Sequence, residues 1–355
     1  MKILFVQEYF HPVITGGSEI YSYILVKELL RLGHEVFVIG GGFSNKFEIV
    51  EDIPIQRVNL MPSRFLFNLK SIPTIKKSLK KFKPDLIHGN TFHASIPAGL
   101  VGYYFKIPNL ISVHNLFLYK WKTYFNPFIS SLFYAFERIE FSVPYSKIIA
   151  CDHFSLRNLK LLGLENKSVY IPYPIQTQEF RLKKRKQDKI VIGTAGRLYE
   201  KTKRLDIFMD LVRKLKDRKD VEFILIGPYK PSQEKFFKKF NNLKAMGKIT
   251  HSKMFDYLKK IDIFIAQGIV AKEAMGCGCV TILNDVDDRL LTYHKPEIEE
   301  KVLLSGNIPK LVNNLIGNEK EREKIANKSI NFIKDNYSPE IIVGKTLKVY
   351  NSITN

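Results

Sequence analysis

Short apolar runs alternate along this chain with segments of helical periodicity, and the series starts twice, at "KILFVQEYF" and again at "KIVIGTAGRL". The first run is bounded by turn signals and suits a strand buried on both faces. "SEIYSYILVKELLRLG" follows it, with Ile20, Ile24, Leu25, Leu29 and Leu32 at helical spacing and Gly33 placed to end the helix. "HEVFVIGGG" is the next strand, and "DLIHGN", "NLISVH" and "KIIACD" are further ones. After the restart come the helix "RLDIFMDLVRKLKD", the strand "VEFILIGP", the helix "SKMFDYLKKI", the strand "DIFIAQG", the helix "AKEAMGCG" and the strand "CVTILND". Such alternation predicts an α/β protein with a parallel, doubly wound sheet in each half.

A chain of 355 residues suits two domains better than one core. The segment "IPYPIQTQEFRLKKRKQDK" is rich in Pro and charge and lacks periodicity, which places a linker at 173–188. The domains then run over 1–172 and 189–337, with a closing helix at about 338–355. Ligands of open α/β sheets bind beyond the C-terminal ends of the strands, so a small-molecule site is expected between the two domains.

The formal net charge is +21. A charge of that size fits nucleic acid, anionic lipid headgroups or phosphorylated substrates as partners, and it also fits an AT-rich genome that favours Lys. No helix-turn-helix, zinc or RNA-binding signature supports nucleic acid. Three cysteines make no disulfide framework, and Cys277-Gly-Cys279 has no second Cys/His pair at zinc spacing. With no apolar run of membrane-spanning length and no secretory signal, a cytoplasmic protein is expected.

Three motifs carry candidate chemistry, the first two suited to an anionic ligand. Gly16-Gly17-Ser18-Glu19 stands between the first strand and the first helix, where free N–H groups and positive potential favour a phosphate. A tight turn with Ser18 as N-cap explains the same letters. Neither this motif nor "IGGGF" is G-x-G-x-x-G, so a dinucleotide cofactor is unsupported. "GTAGRLYEKTKRLDIF" puts Gly193, Gly196 and Arg197 after a strand, with Lys201 and Lys203 just beyond. Two or three cations there suit a diphosphate. "GIVAKEAMGCGCVTI" places Glu273 in the first turn of a short helix, where it either answers the helix dipole or accepts hydrogen bonds from ribose hydroxyls.

On these motifs, with "YFHPVITGGSEIYSYILVKELLRLGHEVFVIG", "PDLIHGNTFHA", "SVHN" and "NFIKDNYSPEIIVGKTLKVYNSI" in order, the chain resembles a retaining glycosyltransferase of family 4. The resemblance implies the GT-B fold, two Rossmann-like domains facing a cleft, with the last helix packed back on the first domain. It implies transfer of a sugar from a nucleotide-sugar to a glycan or lipid-linked acceptor in cell-surface glycan synthesis, without cofactor or metal. Gly16 and Gly17 would line the donor phosphates. Arg197 and Lys203 would hold the diphosphate, with Gly196 beside them. Gln267, Gly268, Ile269 and Val270 would line the donor, Glu273 would hold the ribose, and His114 would lie by the sugar and acceptor.

The match departs from the pattern in places. The first of two family glutamates is replaced by Ile265, in an interval about six residues short, with Gln267 as the stand-in. Tyr173-Pro174 stands where the family often has Asn-Gly, and "DVDDRLL" replaces a Gly-Gly-x-x-Glu. Asp285, Asp287 and Asp288 look like a metal-binding D-x-D but stand in the wrong context. These departures leave a non-catalytic binding subunit as the alternative. Aromatics with Lys120, Trp121, Lys122 and Arg138 suggest contact with an anionic membrane surface.

Overall fold

The computed structural model describes residues 1–14, 16–90, 92–176, 188–200, 203–283, 303–304 and 308–354. The chain divides into two compact units, Met1–Pro174 with Pro339–Asn355, and Ile175–Ser338. In the first unit, strands β1 (Lys2–Gln7), β2 (Glu35–Gly42), β3 (Phe47–Val50), β4 (Ile53–Asn59), β5 (Leu86–Asn90), β6 (Asn109–Val113), β7 (Lys147–Ala150) and β8 (Ser168–Tyr170) form one sheet. Their order is β3-β4-β2-β1-β5-β6-β7-β8. Neighbours are parallel except in the hairpin β3–β4.

Helices α1 (Gly17–Arg31), α2 (Phe67–Phe82), α3 (Phe92–Phe105), α4 (Pro127–Glu140) and α5 (His153–Leu161) complete this part of the chain. A strand's period of two sends alternate side chains to opposite faces. Ile3 and Phe5 of β1 therefore pack with Tyr21, Leu25 and Leu29 of α1. Leu4 and Val6 pack with Phe67 and Ile75 of α2 and with Ala94 and Ala98 of α3. Helices α2 and α3 carry Pro73 and Pro97 inside them, which blurs their sequence signal.

The N-cap of α1 is Gly16, not Ser18. The reason is Glu19, whose carboxylate accepts the Gly16 N–H at 2.5 Å and so starts the helix two residues earlier. Leu32 lies past the last turn and is exposed rather than part of the buried face.

The second unit has β9 (Ile190–Ala195), β10 (Val221–Ile226), β11 (Leu243–Ala245), β12 (Ile263–Ala266), β13 (Val280–Leu283) and β14 (Leu303–Leu304). They are all parallel, in the order β11-β10-β9-β12-β13-β14. Its helices are α6 (Leu205–Lys214), α7 (Pro231–Phe237), α8 (His251–Leu258), α9 (Ile269–Gly276), α10 (Ile308–Ile316) and α11 (Glu319–Tyr337). Strand order reverses between β1 and β5 in one sheet and between β9 and β12 in the other. Strands β9 and β10 pair from Ile190 to Ala195, whereas β9 and β12 pair through Ile192 and Gly193 and then part. That parting opens a crevice at the reversal point, the usual place for a ligand.

The last helix, α12 (Pro339–Thr354), belongs to the first unit. It buries Ile342, Val343 and Tyr350 against the α1 face of the sheet. The Tyr350 hydroxyl meets His88 Nδ1 at 2.6 Å, and His88 Nε2 meets Ser112 Oγ at 2.8 Å.

Helix α4 is turned inside out. Its buried residues are Ser130, Glu137 and Glu140. The Glu137 carboxylate accepts the backbone N–H groups of Phe117 at 3.0 Å and Leu118 at 2.6 Å, and so fixes the loop after β6. Burial raises the pKa of Glu140 to about 8, with a further push from the charge of Glu137. Folding therefore favours the protonated acid. The stability this contributes is full below about pH 4.5 and is lost as the pH rises through about 8. Glu140→Gln keeps the neutral shape, so the variant should melt higher than wild type at about pH 9, with the gain shrinking towards about pH 5. An equal gain at both pH values would contradict a buried neutral carboxyl.

Candidate donor site and its supporting residues

In the second unit, the loops after β9 and β12 flank the crevice where those strands part. Gly196 follows β9 at φ +143°, a conformation that favours glycine. A Cβ there would lie 3.3 Å from Lys203 Cδ, so the missing side chain gives room to the lysine stem. Gly227, after β10, approaches so closely that its Cβ would fall 1.9 Å from the Gly196 carbonyl oxygen. This close contact sets the path of the β9 loop.

That loop turns back on itself: the Glu200 N–H donates to the Arg197 carbonyl, and the Lys203 N–H to the Glu200 carbonyl. Arg197 and Lys203 are thereby drawn together. Burial and the charge of Arg197 both push the Lys203 pKa below its ordinary value, and Glu200 partly offsets them. Arg197 Nε also lies 3.1 Å from Glu200 Oε1. Asp206, three residues after Lys203, is gripped by Arg204 through Nε at 3.0 Å and Nη2 at 2.8 Å.

Beyond β12, Gly268 caps α9 at φ +74°. Gln267, Ile269 and Val270 around it are half-buried. Helix α9 begins at Ile269, which puts Glu273 in the second turn and not the first, so the helix dipole does not account for it. Glu273 is buried, four residues from Ile269 on one helix face, and its Oε1 meets Nε2 of His251 at 2.7 Å. Burial works against charge on His251. The bond to Glu273 and that residue's negative charge outweigh it and hold the His251 pKa above its ordinary value. Ile265, at the place of the absent first glutamate, is fully buried in β12.

In the first unit, Gly16 is extended at φ −167°, and a Cβ there would have nothing nearer than Glu19 Oε2 at 3.6 Å. The protein's own packing thus does not demand this glycine. Ser18 Oγ donates to Glu19 Oε1 at 2.9 Å, so the α1 N-terminus already holds a carboxylate.

His114 follows β6 and is buried, held by side chains rather than by backbone. Asn90 donates its amide N–H groups to Ser22 Oγ at 2.6 Å and to the Ser18 carbonyl, which fixes its Oδ1 towards His114. His114 Nε2–H donates to that oxygen at 2.6 Å, and the Tyr173 hydroxyl donates to Nδ1 at 2.7 Å. With burial lowering its pKa to about 3, the ring is neutral.

Sequence reasoning missed His251, Glu200, Asn90 and Tyr173 as members of these clusters. No local motif marks them, because each is defined by a partner at least 22 residues away except Glu200, whose link to Arg197 is a helical-type i,i+3 pair. Lys201, most of the linker at 177–187, and Asp285, Asp287 and Asp288 lie outside the described residues. Cys277 and Cys279 are buried thiols, and Cys279 donates to the Leu258 carbonyl at 3.1 Å. Among the described residues no three His, Cys, Asp or Glu side chains gather as a metal site.

Residues 15–179 match the family model "Glycosyltransferase Family 4", and residues 189–318 match "Glycosyl transferases group 1". The chain is a family 4-like glycosyltransferase of the GT-B fold. It is thus an enzyme of the hexosyltransferase type. Among curated proteins none matches.

Solved structures share the glycosyltransferase's fold over its whole length. Sucrose-phosphate synthase from Thermosynechococcus elongatus is similar at a TM-score of 0.80 and 16% identity, covering 99% of this chain and 98% of that one. HepE of Anabaena, in complex with UDP and glucose, is similar at 0.72 and 17%, covering 99% and 100%. WaaG, a glycosyltransferase involved in lipopolysaccharide biosynthesis, is similar at 0.72 and 14%, covering 99% and 100%.

Proposed function

We propose that the enzyme moves a sugar from a nucleotide-sugar, with retention of the anomeric configuration, to a glycan or lipid-linked acceptor. The observation that carries this reading is the Arg197–Lys203 pair, two cations drawn together beside Gly196 at the mouth of the β9–β12 crevice. Their mutual repulsion is eased by an anion with adjacent charges, and a leaving nucleoside diphosphate is one. HepE has been solved with UDP-glucose as well as with UDP, which supports the donor class.

In this reading Gln267, Gly268, Ile269 and Val270 line the donor at the start of α9, and Glu273 accepts the ribose hydroxyls. Gly16 and Gly17 leave room for the donor's phosphates beside α1. A sugar hydroxyl reaching His114 must displace Asn90 or Tyr173, so His114 is assigned to holding these two beside the sugar. Arg197→Ala and Lys203→Ala should each weaken nucleoside-diphosphate binding by about ten-fold or more, since a charge-assisted hydrogen bond contributes roughly 1.5 to 3 kcal/mol. Unchanged affinity for UDP, GDP and ADP in both variants, measured by calorimetry, removes the diphosphate assignment.

The acceptor side of the reading rests on α4. Phe128, Leu132, Ala135 and Ile139 follow helical spacing along its outer face, with Phe128 74%, Leu132 57% and Ile139 60% exposed. The acids of this helix are buried, while Lys122 and Arg138 are exposed. Helix α3 of the same unit ends in exposed Tyr103, Tyr104 and Phe105, and Lys76 of α2 lies over the Tyr104 ring at 5.9 Å. Exposed apolar side chains on a helix whose acids are buried, with exposed Arg138 on the same helix, suit an anionic bilayer surface, to which each Lys or Arg adds about 1 kcal/mol at low salt. Trp121 is not part of this face: its ring stacks on Phe133 at 4.6 Å, inside an aromatic cluster with Phe117 and Phe125.

No described helix is long and apolar enough to cross a membrane, so the contact proposed is peripheral. Wild type should float with phosphatidylglycerol-containing vesicles at low salt and not with phosphatidylcholine alone. Phe128→Ser with Leu132→Ser should abolish flotation without lowering the melting temperature. A wild type that stays at the bottom of the gradient places the acceptor in solution.

A further inference from the structure

We infer that His251 is a positioning residue for the nucleoside: it fixes the Glu273 carboxylate in the direction the ribose requires and offsets its charge in a site that must accept an anion. The inference rests on the assignment of Glu273 to ribose.

A glutamate side chain has three rotatable bonds, and an undirected carboxylate loses part of its binding energy to ordering. Here the first residue of α8 supplies the restraint. His251 Nε2 holds Glu273 Oε1 at 2.7 Å. The imidazole is itself fixed by the edge-on Phe255 ring, 5.4 Å away at 74°. Phe255 is buried in the core beneath α8 and α9 with Ala271, Ala274 and Met275, so the restraint is anchored in the fold.

The second part is electrostatic. Glu273 follows β12, and Arg197 with Lys203 follows β9, so a carboxylate shares the crevice's two loops with the proposed diphosphate site. An unshielded carboxylate there repels the phosphates. A histidine at hydrogen-bond distance from it shares its charge and lessens that repulsion. In a chain with Ile265 in place of the first family glutamate, Glu273 is left to orient the donor without a second carboxylate. Its direction then matters more.

The test uses calorimetry of the full chain with UDP, GDP and ADP, and with the 2′,3′-dideoxy counterpart of whichever binds most tightly. Wild type should prefer the ribose form. His251→Ala should lower affinity for the ribose form by about ten-fold or more, the scale of one hydrogen bond to a charged group, and weaken the dideoxy form distinctly less, through the unshielded Glu273 charge alone. His251→Gln, which restores a donor of similar reach, should recover most of the loss. His251→Ala added to Glu273→Gln should cost nothing further, because both act through one contact.

Equal weakening of both ligands by His251→Ala, or no weakening of either, overturns the inference while leaving Glu273 on the ribose. A wild type that binds the ribose and dideoxy forms alike removes the ribose assignment and the inference with it. If none of the three diphosphates binds, the proposed function fails first. Melting temperatures of the variants separate a folding defect from a lost contact.

Discussion

A parallel sheet covered by helices on both faces leaves one kind of backbone open to a ligand, the loops at the C-terminal ends of its strands. In the second unit those loops diverge where β9 and β12 stop pairing after Gly193 and Phe264. The placement of Gly196, Arg197 and Lys203 on one side, and of Gly268 and Glu273 on the other, follows from that parting. So does the need for two tight glycines: Gly196 and Gly227 touch, and any side chain at Gly227 would displace the loop that carries Arg197.

The first unit uses the same edge for a different purpose. Asn90 at the end of β5 and His114 after β6 are locked to Ser22 of α1 and to Tyr173. Behind them His88, Ser112, Tyr21 and Tyr350 form a second buried set that ties in α12. A buried set with its polar atoms paired is rigid, since any displaced member leaves a partner unsatisfied at about 1 to 3 kcal/mol. His114 is therefore better suited to holding shape than to exchanging a proton.

Much of the fold was legible in the sequence because parallel strands buried on both faces read as apolar runs, as in "KILFVQ" and "VEFILI". The hairpin β3–β4 was not: Phe47 and Ile49 are exposed on a short edge strand, and so no apolar run marks it. Arg197, Lys203 and Gly196 were legible because they lie within one loop. His251 was not, since its meaning comes from Glu273 across two helices. Glu19 was visible as a letter, but its capping of Gly16 needed coordinates. Helix α4 misled for a further reason: aromatics beside lysines describe a core and a surface equally well, and burial alone separates Trp121 from Phe128.

The most direct measurement of the central claim is a crystal structure with a nucleoside diphosphate bound. The account predicts the diphosphate oxygens within hydrogen-bond distance of both the Arg197 guanidinium and Lys203 Nζ, at the β9–β12 crevice, and the ribose hydroxyls on Glu273. A nucleotide bound with its phosphates away from both cations would contradict it.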